Sequence, residues 1–350
     1  MDPVTHALTG LCIARSLPRT ERGRDTDILV VAASLLPDID VTWALWEPET
    51  AALTRHLLTH SLTGLAALSV GFGALAWLLF RRLSLSVYFM LVGLAVLAHL
   101  GLDVINAFGV AVLYPWSSYR FELPLAFILD PVLTGILLIG VLVPSFLRDQ
   151  SAVPLASRAA LLLAFCYLAS AFSLRLVAND MLLAHAGADG GAHGTYLVPE
   201  PGSPLQWKGI YSDGEGYQQV LVYPLSGRIV ELSPVPSTPG DLRVAAVRRT
   251  VTGQLIDGFL KTPVWHAEGK TVVAYDLRFR FAALDNDWDP FSFCFRDRGS
   301  GPALVPQDLD VYLANWRKAL VKFGILPSPE AVLTACPAER IGVARVHSLG

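Results

Sequence analysis

The sequence predicts an α-helical polytopic membrane bundle of about 5–6 membrane helices followed by a soluble α+β domain, and three observations predict it. Apolar residues make up 53% of the 350 residues and charged residues only 16%, where soluble chains carry about 25%; mean hydropathy is +0.47. The apolar residues gather into long runs before about residue 180. Beyond it, alternating segments stand between Gly- and Pro-rich breaks, as short strands do. A net charge of −3, from 30 acidic and 27 basic residues, argues against a basic nucleic-acid binder and against a disordered chain. Four cysteines without a C-x-x-C pair argue against a disulfide scaffold and against a thiolate zinc site.

Residues 4–17 form the first apolar piece, and its ~14 residues cover only about 21 Å. The arginines at 15, 19, 22 and 24 follow this piece instead of preceding it, which argues against a cleaved signal peptide. Residues 28–46 are a second piece, broken at Pro37, Asp38 and Asp40. Residues 62–80 run without a charge, and residues 83–102 hold His99 as their one ionisable group; each is long enough to span ~30 Å of hydrocarbon. Residues 123–147 are interrupted only by Asp130 and residues 159–178 only by Arg175. A linker is expected from about Asn179. After it, 218–224, 227–232, 271–281 and 291–296 read as strands, and 241–260 and 306–323 as helices. The expected domains are a membrane-embedded one over 1–180 and an extracytoplasmic α+β one over 181–350.

With six crossings, Arg15, Arg19, Arg22, Arg24, Arg81, Arg82, Arg148 and Arg158 share one side, and only Arg55 and Arg120 fall on the other. Short cytoplasmic loops carry the Lys/Arg excess. The N-terminus and the C-terminal domain of a multi-pass inner (plasma) membrane protein are therefore expected outside the cytoplasm.

On that topology His6, Asp38, Asp40, His56, His60, His99, Asp103 and Asp130 all lie at the outer ends of their segments. Such groups are costly in hydrocarbon unless they pair, face water or bind something. His56 and His60, like His99 and Asp103, are spaced i, i+4 and would share a helical face, and Asp38 and Asp40 form a P-D-x-D turn. Imidazole and carboxylate donors together suit Zn²⁺, Mn²⁺ or Fe. The expected metal ligands are His6, Asp38, Asp40, His56, His60, His99 and Asp103, holding one or two divalent ions, Zn²⁺ or Mn²⁺. Asp38, His60 and Asp103 are the expected catalytic residues, since a two-metal centre commonly serves phosphoester hydrolysis. Asp130, before Pro131, reads as a kink or helix-start carboxylate. Thr59, Ser61 and Asn106 would support the ligands. Ser117 and Arg120 would bind substrate, the arginine by holding a phosphate bidentately. Trp43, Trp46, Tyr114, Trp116 and Tyr119 read as an interfacial belt.

Five motifs occur in order: MDPVTHA at 1–7, SLLPDID at 34–40, RHLLTHS at 55–61, HLGLDVINAFG at 99–109 and YPWS at 114–117. Over roughly residues 1–180 they resemble the YdjM-type inner-membrane proteins. The resemblance implies a membrane-embedded metal-dependent hydrolase and carries metal-binding roles onto His6, Asp38, Asp40, His60, His99 and Asp103; His56 falls at a more variable position.

The outer domain holds no comparable constellation. His193, His266 and His347 are scattered without a G-x-S-x-G frame. Asp285, Asp287 and Asp289 lack the glycine and glutamate of a calcium loop and read as a solvated turn. Cys294 and Cys336 are a candidate pair in an oxidising space, and Cys12 and Cys166 are expected as free thiols. The expected function is hydrolysis of a lipid or lipid-linked phosphoester at the outer leaflet, with the bilayer as partner and no nucleic acid. The alternative is a non-catalytic membrane protein with a structural metal or His/Asp network and a partner-binding or regulatory outer domain. Transport is disfavoured, because the ionisable residues cluster at one face.

Overall fold

The computed structural model describes residues 1–18, 20–45, 51–147, 150–188, 193–201, 203–214, 216–281, 292–297 and 302–304. Helix α1 (Pro3–Arg15) begins where the Asp2 carboxylate accepts from the Val4 and Thr5 amides, with Pro3 in the first turn, where a missing N–H costs nothing. Helix α2 (Arg24–Leu35) places Asp25 and Asp27 at its positive end. At Pro37, which lacks a backbone donor, the chain has tightened into a 3-10 helix, Leu36–Leu45. A short α3 (Ala51–Thr54) and a 3-10 turn (Leu58–His60) precede α4 (Leu62–Phe80), which is capped by Ser61. Ser84 caps α5 (Leu85–Val104). Helices α6 (Pro131–Leu147) and α7 (Val153–Ala188) complete the helical region.

Helices α1, α2, α4 and α5 share a core that includes Ala14, Val30, Ala33, Leu91, Val92 and Ala95. A second core, with Cys12, Leu133, Leu137, Ala160 and Ala164, joins α1 to α6 and α7. A Cβ at Gly10 would lie 2.5 Å from Ser34 Oγ, so the glycine is what lets α1 and α2 approach closely here.

Among the described residues three helices, α4, α5 and α7, are long and apolar enough to cross a membrane, and Pro131–Pro144 is a shorter apolar helix. The expected count of about 5–6 is not confirmed beyond these three. Helices α1 and α2 have 13 and 12 residues, about 20 and 18 Å, short of the ~30 Å of hydrocarbon. The apolar run at 123–147 is helical only from Pro131. The linker expected from about Asn179 is still helix until Ala188.

That helical tail has a reason to persist. Ala178, Leu182 and Ala186 of α7 are buried against Leu197, Trp207, Tyr211, Val220 and Val222. These belong to an antiparallel sheet of β1 (His193–Pro199), β2 (Trp207–Ser212), β3 (Gly216–Tyr223) and β4 (Arg228–Glu231), in that order, with β5 (Val235–Pro236) paired to β3. The chain divides into two compact units: one carries the long helices together with β1–β5, and the other includes Ser237–Arg280.

In the second unit the expected helix 241–260 is two, α8 (Leu242–Arg248) and α9 (Val251–Phe259), because Thr250 caps a new start by accepting from the Gly253 amide. Strands β6 (Pro263–Glu268), β7 (Thr271–Asp276), β8 (Phe293–Asp297) and β9 (Pro302–Leu304) form an antiparallel sheet in that order. The strand expected over 271–281 ends at Asp276, where a 3-10 turn, Leu277–Phe279, begins. Asp276 is fully buried and accepts from Thr262 Oγ1 at 2.6 Å, the Lys261 amide at 2.7 Å and Arg278 Nε at 2.9 Å. Burial raises its carboxyl pKa, but the Arg278 guanidinium and these hydrogen bonds outweigh it and hold the group below the ordinary carboxylate range. The helix expected at 306–323, the turn at Asp285 to Asp289, Trp46, Cys336 and His347 lie outside the described residues.

Candidate metal centre

The end of α5 supplies the centre's floor. His99 and Asp103 are one turn apart, with Nε2 3.0 Å from Oδ2, as their spacing predicts. His99 Nδ1 lies 2.7 Å from the Ser34 carbonyl oxygen of α2. A carbonyl only accepts, so Nδ1 donates to it, and Nε2 is the nitrogen turned inward, a lone-pair donor in the neutral ring.

His60 closes the 3-10 turn before α4. Its Nδ1 is 2.9 Å from Thr59 Oγ1, and Thr59 in turn donates to Asp40 Oδ2 at 3.2 Å. This chain ends on a carboxylate, so His60 Nδ1 also donates, and its Nε2 lone pair faces Asp103 Oδ2 and His99 Nε2, each at 3.1 Å. His56 repeats the pattern: Nδ1 is 3.3 Å from the Gly109 carbonyl and Nε2 is 3.7 Å from Asp103 Oδ2. His56 holds a left-handed backbone, φ 60°, and its amide donates to Asp40 at 2.9 Å. Gly109, which receives its ring, has φ 78°, a conformation that glycine adopts without strain.

His56 and His60 thus do not share a helical face as expected, because α4 starts only at Leu62. They meet all the same, with ring centroids 4.3 Å apart. From α1, His6 stacks on His99 at 3.8 Å and places Nε2 3.3 Å from Asp103 Oδ1, an oxygen that also accepts from the Met1 ammonium. Asp38, on the 3-10 helix after α2, brings Oδ1 to 3.9 Å from His60 Nε2, while its buried Oδ2 has no hydrogen-bond partner among the described residues.

Two donor groups result, Asp38 with His56, His60 and Asp103, and His6 with Asp38 and His99; within each, all ligand atoms lie within 4.8 Å of one another. Tetrahedral zinc at ~2.0–2.1 Å from nitrogen or oxygen holds its donors about 3.3 Å apart. The separations of 3.0 and 3.1 Å around Asp103 Oδ2 match that spacing. Contacts this short need a proton or a metal ion between the atoms, and imidazole nitrogens gathered around one carboxylate oxygen are a donor set that a divalent metal fits. Asp40 stands apart from both groups. It lies behind His56 and His60, holding the amide of one and the Nδ1 side of the other, as a carboxylate supporting a metal-bound imidazole does.

Other expected residues lie elsewhere. Asp130 is buried at the start of α6, accepting from the Val132 and Leu133 amides at 3.0 and 2.9 Å and from Tyr167 Oη at 2.7 Å. Arg120 is only 5% exposed, donating to the carbonyls of Leu53 at 2.8 Å and Gly109 at 3.4 Å. It braces the backbone beneath His56 and does not present itself to a ligand from solvent. Ser117 is half-buried and accepts from the Tyr119 amide. Of the expected supporting residues, Thr59 touches a ligand, Ser61 caps α4 and Asn106 accepts from the Phe108 amide. His193 begins β1 and His266 lies on β6.

Sequence reasoning missed Arg55. Its Nη2 donates to Asp38 Oδ1 at 2.8 Å and its Nε is 3.8 Å from Asp40 Oδ1. The signal was present, because Arg55 is one of two basic residues on the arginine-poor side and directly precedes His56.

A family model for the YdjM inner membrane protein matches residues 1–178. No curated protein and no solved structure matches the chain.

Proposed function

The chain belongs to the YdjM family of inner membrane proteins, and we propose that it is a membrane-embedded metal-dependent hydrolase acting on a lipid or lipid-linked phosphoester. One observation carries the reading: the Nε2 atoms of His56, His60 and His99, each with its Nδ1 side held, converge within 3.0 to 3.7 Å of one Asp103 oxygen. Asp38, His56, His60 and Asp103 would hold one ion, Zn²⁺ or Mn²⁺, and His6 and His99 with the shared Asp38 offer donors for a second. When bound, such a metal supplies Lewis acidity, which acidifies water and withdraws charge from a phosphoryl oxygen. Asp40, Thr59 and the Ser34 carbonyl keep the imidazoles in the tautomer this requires.

Placement at the outer leaflet is supported by the direction of the helices. The centre is built from the start of α1, the chain after α2, the chain before α4 and the end of α5. Arg15, Arg24, Arg81 and Arg82 fall at the opposite ends of those four helices, as expected if that end faces the cytoplasm.

The near-complete burial of His6, His60 and His99 favours a second reading, a closed structural metal that fastens the bundle. Against it, Asp38 and Arg55 are 13% and 27% exposed, which gives the centre an edge on solvent. The test is elemental analysis of the detergent-purified full chain beside a His99→Ala, Asp103→Ala variant, followed by assay of lipid phosphoesters. One or two ions lost in the variant, with hydrolysis abolished by chelation and restored by metal, is the expected result. Metal absent from both proteins overturns the reading, and tightly held metal without hydrolysis supports the structural one.

A further inference from the structure

We propose that Arg55 is the guanidinium that captures the anionic phosphoryl group of a molecule brought to the metal centre. The inference rests on the metal reading above and gives Arg55 the role expected of Arg120. Arg120 is buried on backbone carbonyls, whereas Arg55 is 27% exposed and still reaches the centre, 2.8 Å from Asp38 Oδ1. Asp38 is the residue common to both donor groups, so Arg55 stands beside the point where a ligand would bridge toward the metal.

The chemistry narrows the class of ligand. A guanidinium offers five N–H donors in a planar fork, enough for one group to serve a carboxylate and an oxyanion together. With metal bound, the charge of Asp38 is shared with the ion, and the guanidinium beside it gains affinity for a further anion. A cation is repelled by this pair, and a carboxylate has only two oxygens to divide between them. A phosphoryl group has enough non-bridging oxygens to meet the metal with one and the guanidinium with the others. On the 3-10 segment that carries Asp38 and on the turn that follows Arg55, the side chains of Ile39, Trp43 and Leu58 are exposed by 54%, 48% and 57%, apolar surface suited to the hydrocarbon part of a phospholipid.

The experiment uses the detergent-purified full chain loaded with Mn²⁺, as wild type, Arg55→Gln and Arg55→Lys. Metal content is read by elemental analysis, and affinity for inorganic phosphate by paramagnetic broadening of its phosphorus NMR signal. Arg55→Gln is expected to keep its metal and weaken phosphate binding about tenfold or more, the loss typical of a charge-assisted hydrogen bond. Arg55→Lys, which keeps the charge beside Asp38, is expected between the two. A parallel arm uses a short-chain phosphatidic acid. Arg55-dependent binding tighter than that of phosphate identifies a lipid headgroup as the source, and equal Arg55-dependent binding identifies the phosphoryl group alone; both support the proposal. Phosphate affinity within about twofold of wild type in a metal-loaded Arg55→Gln overturns it. Loss of metal in both variants also overturns it, making Arg55 a positioning residue for Asp38. Wild type that holds metal but binds no phosphate sinks this inference alone, whereas wild type without metal sinks the metal reading as well.

Discussion

His60 Nε2 and His99 Nε2 stand 3.1 Å apart only because something else fixes each ring: the Ser34 carbonyl for His99, and Thr59 with Asp40 for His60. The residues behind the donors are therefore where the metal reading is most exposed to test. Asp40→Asn leaves the two donor groups intact and removes a negative charge behind His56 and His60. Metal affinity is expected to fall by about 10- to 100-fold, as for other supporting groups of metal sites, with stoichiometry unchanged; competition with a chelator measures it. An unchanged affinity would mean that the imidazoles are held by packing alone. At this scale the sequence was legible in residue type more than in residue role. His6, Asp38, His56, His60, His99 and Asp103 do converge, because ionisable groups in an apolar chain have few tolerable places. Arg120 and Arg55 could not be told apart, since which arginine turns inward depends on loop backbone that periodicity does not describe.

Elements were legible where composition alone decides them. The charge-free run at 62–80 is α4, and the run at 83–102 is α5 within a few residues. The i, i+4 rule worked for His99 and Asp103 inside a long helix and failed for His56 and His60, where the chain turns instead. The tail of α7 lies where a linker is expected from about Asn179, yet Leu182 and Ala186 are buried against β2 and β3, so tertiary packing overrides weak local propensity. Strands β1, β2, β5, β6 and β9 went unread, the first two because glycine and proline punctuate their surroundings. Asp276, at the end of β7, ties strand chemistry to pH. Its folded pKa lies below the unfolded value of about 3.9, so the unfolded chain takes up protons first as pH falls. The stability it contributes is present above about pH 4 and is lost as pH drops through the folded value. Amide protection in β6 and β7 of the full chain, corrected for the intrinsic exchange rate at each pH, is expected to fall below about pH 4. Asp276→Asn, which strands the buried Arg278, is expected to exchange faster at neutral pH and to lose that acid dependence. An acid dependence unchanged in the variant would place its origin in another group.

For the whole molecule, the two ends of the bundle differ in chemistry more than any single helix shows. At one end Arg15 pairs with Asp27 at 3.2 Å and Arg82 with Asp25 at 2.9 Å, while Arg82 also donates to the Glu21 and Arg22 carbonyls. At the other, histidines and aspartates converge beneath a loop that exposes Trp116 and Tyr119. Basic residues resist transfer across the membrane and aromatic rings favour the headgroup layer, which is the basis for proposing that the centre faces outward and the arginines the cytoplasm. Two single-cysteine proteins test this, Ser118→Cys in the loop near the centre and Ser86→Cys at the arginine end, both exposed. The native cysteines Cys12, Cys166, Cys294 and Cys336 are replaced by serine, and metal content is checked first. In spheroplasts a membrane-impermeant maleimide is expected to label Ser118→Cys at once and Ser86→Cys only after permeabilisation. The reverse order would turn the centre toward the cytoplasm and move any lipid substrate to the inner leaflet, while leaving the metal chemistry of His60, His99 and Asp103 as it stands. Orientation and catalysis are thus separable claims, because one rests on the distribution of arginines along the bundle and the other on four side chains at its opposite end.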